Sequence, residues 1–187
     1  MKPKNLKLKT KNYQNGFTII EVLVSAFVFS IIALAVSGLF VQVLALERRV
    51  FTFQKIQENG LFIMELMSRE IRVSQIPLFN GANQDSLDCT AVLLMIDHPV
   101  NGRIIYTLNN NVLQRISIEN DTTITTDLSS SVVAFSRLNF CIMGSNPTDG
   151  QQARVTILAS IQNKTGQEIL TTSLETTVSS RDVQTEF

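Results

Sequence analysis

The chain has 187 residues, 44% hydrophobic and 17% charged, with a formal net charge of zero, enough for one modest domain and a long helix. The zero is a sum of opposites: five of the 16 Lys and Arg lie in the first sixteen residues, which hold no acid, leaving 11 against all 16 Asp and Glu. Nucleic-acid binders carry their basic charge on the folded body, and a Cys/His metal site needs about four closely spaced ligands, so with two Cys and one His no nucleic-acid partner, metal or cofactor is expected.

The basic start carries Lys2, Lys4, Lys7, Lys9 and Lys11. From Phe17 to Leu46 the chain then reads FTIIEVLVSAFVFSIIALAVSGLFVQVLAL, with Glu21 as its only charge. About 20 apolar residues cross a bilayer core, and the positive-inside rule puts the basic end in the cytoplasm. An ordinary secretory signal has an apolar core of about 7–15 residues and ends at a small-residue cleavage site, so this longer run is not one. Ser25, Ser30 and Ser37 can return their hydroxyls to the helix backbone. Glu21 is the anomaly, because a charge in mid-bilayer costs about 2.5–3.5 kcal/mol and a plain anchor has no use for it.

The block GFTIIEVLVSAFVFS resembles the class III leader junction of type IV prepilins and of the pseudopilins of type II secretion. In that family a membrane aspartyl peptidase cuts after a leader-ending Gly and methylates the new N-terminus. The resemblance implies that Gly16 ends the leader, that Phe17 becomes the N-methylated N-terminus, and that Glu21 is the family's assembly acid. Physically, cleavage there leaves the apolar helix whole, and an unpaired Phe17 ammonium in a dry filament core would be costly. Glu21 of a neighbouring subunit can pair with it. Many major pilins have a Pro part-way along this helix. Here the stretch holds Gly38 instead, either a soft point or a close-packing position between helices.

The helix is expected to continue to about Gln75, before Pro77. Val50, Phe53, Gly60, Met64, Met67 and Ile71 recur at three- and four-residue steps and share one face. Glu65 and Arg69 form an i, i+4 pair. Beyond the helix comes a polar loop from Asn80 to Asp88. Asp85 and Asp88 there are two carboxylates that a calcium ion accepts, though loops commonly hold such a pair in solvent.

From Cys89 the period becomes two. Ala91 to Ile96 is an apolar run. Ile104, Tyr106 and Leu108, then Val112, Ile116 and Ile118, flank Asn109-Asn110-Asn111 as a hairpin. Thr122 to Thr126 reads as an edge strand. Val133 and Phe135 lie on one parity and Leu138, Phe140 and Ile142 on the other, which places a bulge near Ser136 or Arg137. Asn146-Pro147-Thr148-Asp149-Gly150 is a loop. Val155, Ile157, Ala159 and Ile161 alternate, and a turn at Lys164-Thr165-Gly166 leads to a strand with Leu170, Leu174 and Val178. Cys89 and Cys141 are either a disulfide or two buried thiols. The segments RIIYTLNNNVLQRISI and TTSLETTVSSRDV resemble the heads of J-type minor pseudopilins and related minor pilins.

No catalytic constellation is present. His98 follows Asp97 directly, and neighbours in a strand face opposite ways, so they form no dyad and His98 reads as a turn residue. There is no phosphate loop or nucleophile elbow. The expectation is therefore an α+β chain and not an enzyme: a leader over 1–16, a long helix over 17–76 that crosses the membrane at about 22–46, and a β-rich head over 77–187. It is expected to sit in the inner membrane with its head outside the cytoplasm, as a minor pilin or minor pseudopilin. The partners implied by the resemblance are other pilins or pseudopilins, a prepilin peptidase and an inner-membrane assembly platform. The competing reading is a single-pass anchored binding domain outside any filament.

Overall fold

The computed structural model describes residues 16–119, 122–146, 150–166 and 168–181. Residues 1–15 of the expected leader, the centre of the Asn146–Gly150 loop and the end of the chain lie outside them. One helix, α1, spans Ile19–Val73. Its apolar part is long enough to cross a membrane by length and composition. The chain divides into two compact units at Arg48/Arg49.

In the first unit the side chains from Phe17 to Leu46 are exposed almost throughout. A run of bare Leu, Ile, Val and Phe on every face is stable only in lipid or among other helices. Ser25, Ser30 and Ser37 donate to the carbonyls of Glu21, Ala26 and Ala33 at 2.7, 2.8 and 2.7 Å, which satisfies each hydroxyl within the helix. A Cβ at Gly38 would meet nothing within 4 Å.

In the second unit the helix buries Ile56, Gly60, Ile63, Met64, Met67, Ser68 and Ile71. Gly60, Met64, Met67 and Ile71 of the stripe expected from the sequence are buried, and Ile56 and Ile63 extend it, while Val50 and Phe53 are exposed. The buried stripe thus ends before Phe53 toward the N-terminus, and apolar residues also occur on the outward face, including Phe51, Leu61 and Phe62. The helix stops at Val73, short of Gln75, because Gln75 leaves it to bridge with Asp97.

The head has two antiparallel four-stranded sheets rather than one. The strands are β1 (Ser86–Ala91), β2 (Leu93–His98), β3 (Gly102–Asn109), β4 (Val112–Glu119), β5 (Thr122–Asp127), β6 (Val133–Met143), β7 (Arg154–Asn163) and β8 (Thr171–Ser179). One sheet runs β1-β6-β7-β8 and the other β2-β3-β4-β5. Together with the second-unit helix they enclose a single core that includes Met67, Ile96, Tyr106, Phe135, Phe140 and Ile157. The fold is α+β, with a helix packed on sheet.

Local chemistry explains the register. Asn110 and Asn111 both take positive φ, 48° and 64°, as a two-residue type I′ hairpin requires. That turn also receives a hydrogen bond from Phe135 N to Asn111 O at 3.0 Å, tying the sheets together. The ladder between β6 and β7 shifts between Phe135 and Arg137. That extra residue lets Val133 and Phe135, and then Leu138, Phe140 and Ile142, all face the core. The buried Asn163 amide donates to the Thr165 and Glu168 carbonyls and accepts from Leu170 N, organising the β7–β8 turn.

Candidate processing and assembly site

The chain enters α1 through Gly16, Phe17 and Thr18. A Cβ at Gly16 would meet nothing within 4 Å, and Phe17 is 81% exposed. Among the described residues nothing shields the Gly16–Phe17 bond from a peptidase. Thr18 caps the helix: its Oγ1 accepts from Glu21 N at 3.3 Å. Thr18 and Glu21 thus have the T-x-x-E spacing of a capping box, a signal present in the sequence and missed there. Glu21 lies in the first turn, where the exposed N–H groups and the helix dipole favour a negative charge. It shares an open groove with Phe17, Val22, Ser25, Ala26 and Phe29. The helix end therefore gathers Gly16, Phe17 and Glu21 within two turns, with an apolar wall beside the carboxylate.

Residues 11–37 match the family model of the prokaryotic N-terminal methylation motif. The match contains Gly16, Phe17, Glu21 and about two thirds of the apolar run. This N-methylation motif supports the type IV pilin-like family and a prepilin-peptidase substrate. It also favours a structural subunit over an enzyme, and with the long apolar helix it fits a membrane-anchored single-pass protein. No curated protein and no solved structure matches the chain at a significant level.

The other sequence candidates lie in the head, in local roles. Cys89 and Cys141 are joined as a disulfide between β1 and β6. Cys89 sits at positive φ, 57°, in a bulge where six residues of β1 span three of β6. Asp85 accepts from Ser145 N at 2.9 Å. The Ser86 and Thr90 hydroxyls both donate to Asp88 at 2.9 Å, and these two bonds, Thr90 first, hold its carboxyl below the usual range. Among the described residues no group of three or more His, Cys, Asp or Glu could hold a metal ion. His98 Nδ1 accepts from Val100 N and Asn101 N at 3.1 Å each, so it caps the β2–β3 turn. Asp97 turns instead to Arg103, 2.9 Å away, and its hydrogen bond raises the Arg103 pKa.

One cluster carried no legible signal. Glu70 leaves the helix to meet the Arg115 guanidinium in a fork, with Nε and Nη2 each 3.1 Å from a carboxylate oxygen. The Tyr106 hydroxyl donates to the same carboxylate. Burial alone would lower the Arg115 pKa, but the hydrogen bonds and charge of Glu70 outweigh it and raise it. The Tyr106 phenol is pushed well above its ordinary value, by burial first and by Glu70 second. This clamp fixes the end of the helix to β3 and β4. Its partners are 36 and 45 residues from Glu70, so no local pattern announces it.

Proposed function

We propose that the chain is a minor pilin or minor pseudopilin, a structural subunit of a type IV pilus or a type II secretion pseudopilus. A prepilin peptidase removes residues 1–16 and methylates Phe17. Residues 22–46 hold the mature chain in the cytoplasmic membrane, N-terminus inside, until an inner-membrane platform moves it into the filament. Residues 77–187 form the head outside the cytoplasm. In the filament Glu21 pairs with the Phe17 ammonium of an adjacent pilin or pseudopilin, which offsets the cost of burying either charge alone.

The observation that carries this reading is the coincidence of the methylation motif with an acidic first turn on a helix whose stretch up to Leu46 is bare on all sides. The resemblance of the hairpin and last strand to J-type heads supports a minor subunit. The test is the N-terminal mass of the chain from cells with and without a prepilin peptidase. A methylated Phe17 start only where the peptidase is present is the expected result. A retained leader in both would leave an anchored binding domain as the better account.

A further inference from the structure

The apolar run of α1 ends at Leu46, and Arg49 follows three residues later. Three residues extend at most about 10 Å. A headgroup layer adds roughly 5–8 Å to each side of a bilayer's hydrocarbon core, so the chain cannot carry Arg49 far beyond that layer. Arg49 in turn meets the β7–β8 loop, where its Nη2 lies 3.5 Å from Glu168 Oε1. Ile169 is the next residue, and it is 69% exposed. A lone exposed Ile is ordinary in itself. Its place beside the exit of the apolar run is what distinguishes this one.

Ile169 is held outward by a fixed piece of backbone. The buried Asn163 Nδ2 donates to Thr165 O and Glu168 O at 2.8 and 2.9 Å, and its Oδ1 accepts from Leu170 N at 2.6 Å. Leu170 packs against the core, which roots the strand just after Ile169. At the same end Lys164 N donates to Val132 O at 2.9 Å, and Val132 is half-exposed. Thr52, Lys55, Val132 and Thr165 line one shallow cavity there. Among the residues that these contacts bring together, the charged ones are Arg49, Lys55 and Lys164, all exposed, and a single acid, Glu168, which Arg49 faces.

We propose that this end of the head is a lipid-docking surface. Ile169 enters the interface of the bilayer that holds the chain's own helix, and Arg49, Lys55 and Lys164 face its phosphates. An apolar side chain among basic ones is the chemistry of an interfacial contact, and each Lys or Arg near an anionic surface strengthens it about fivefold. Tethering by α1 supplies an effective concentration that so small a patch needs. The proposal rests on residues 22–46 crossing the membrane, and it is independent of cleavage after Gly16 and of filament entry.

The experiment uses the full chain in lipid nanodiscs, made either of phosphatidylglycerol with phosphatidylcholine or of phosphatidylcholine alone. An environment-sensitive fluorophore is attached at Ile169→Cys, at Phe40→Cys within the apolar run, or at Val100→Cys. Val100 is 76% exposed and lies in the β2–β3 turn, near where Asp97 bridges Gln75 beyond the far end of α1. Labelling without reductant keeps Cys89 and Cys141 bonded. In the anionic discs, emission at position 169 should be blue-shifted relative to position 100. Lys55→Glu and Lys164→Glu should each weaken docking at least about fivefold, and neutral lipid should likewise reduce the shift. In the unlabelled chain a water-soluble acylating reagent should modify Lys164 more slowly than in Ile169→Asp, which shows that the native Ile and not the fluorophore makes the contact. Lipid-like emission at position 40 with none at 169, or equal acylation of Lys164 in parent and Ile169→Asp, overturns the proposal and leaves anchoring intact. Water-like emission at position 40 overturns both.

Discussion

Tyr106 shows how one side chain can report on the whole head. Its hydroxyl is buried against Glu70, and both facts favour the neutral phenol. Below the ordinary tyrosine value of 10.0 the phenol is neutral in the folded and unfolded chain alike, and the clamp keeps its full contribution. Above it only the unfolded chain ionises, so stability falls as pH rises. In a Tyr13→Phe background Tyr106 is the one tyrosine left, and its phenolate absorbance should rise only as the head unfolds. A phenolate formed reversibly near pH 10 with the fold intact would contradict the clamp. Tyr106→Phe should cost about 1–2 kcal/mol at neutral pH, the loss of a hydrogen bond to a charged group, and should flatten the alkaline loss relative to the parent. Glu70→Ala is harsher. It strands the Arg115 charge, whose side chain is 16% exposed, and should cost about 3 kcal/mol or more.

At the scale of elements, the close approach of helix to sheet centres on Gly60. A Cβ there would lie 2.5 Å from Leu174 Cδ1 and 2.6 Å from Ile161 Cδ1. Ile161 is fully buried and cannot retreat, whereas Leu174 is half-buried and can. Gly60→Ala gains about 1 kcal/mol of helix propensity against an overpacking cost of about 1–3 kcal/mol, so a net loss of about 1 kcal/mol is expected. Combining it with Ile161→Val, which removes the Cδ1 that cannot retreat, should relieve the clash, and thermal unfolding in detergent should show the two changes coupled rather than additive. The disulfide acts between elements too. It closes a separation of 52 residues, and Cys141→Ser should cost up to about 4 kcal/mol by the chain-entropy relation. Much of this level was legible. The Asn-Asn hairpin, the bulge at Ser136 and the alternation of β7 follow from turn chemistry and period two, which are local. The division into two sheets was not legible, because it depends on Gln75 and Gln84 covering β2. The helix stripe was legible from Gly60 to Ile71, and was read too far toward the N-terminus, at Val50 and Phe53, because apolar residues continue there without a sheet to cover them.

At the scale of the whole molecule, membrane anchoring and the proposed assembly meet at Glu21. The residues of the candidate site were legible because Gly16, Phe17 and Glu21 lie within one short block; Thr18 shows as a cap only when its T-x-x-E spacing to Glu21 is read together with the helix start. The isolated chain offers Glu21 a helix N-terminus and a capping threonine, which suffices at the edge of a bilayer. Among the described residues no basic side chain is paired with it for a dry filament interior. If the carboxylate served the membrane helix alone, Glu21→Gln would be harmless, since an amide keeps the capping geometry and removes a charge that lipid disfavours. If it pairs with a neighbour's ammonium, the same change leaves that cation buried and unpaired, at a cost of several kcal/mol. The proposed assembly role therefore predicts opposite trends for two readouts. Membrane insertion of Glu21→Gln and Glu21→Ala should equal or exceed the parent's. Incorporation into sheared filaments should fall at least about tenfold, the change that ~1.4 kcal/mol produces, with Glu21→Asp between. Equal incorporation of Glu21→Gln and parent would remove charge pairing from the account while leaving leader cleavage untouched.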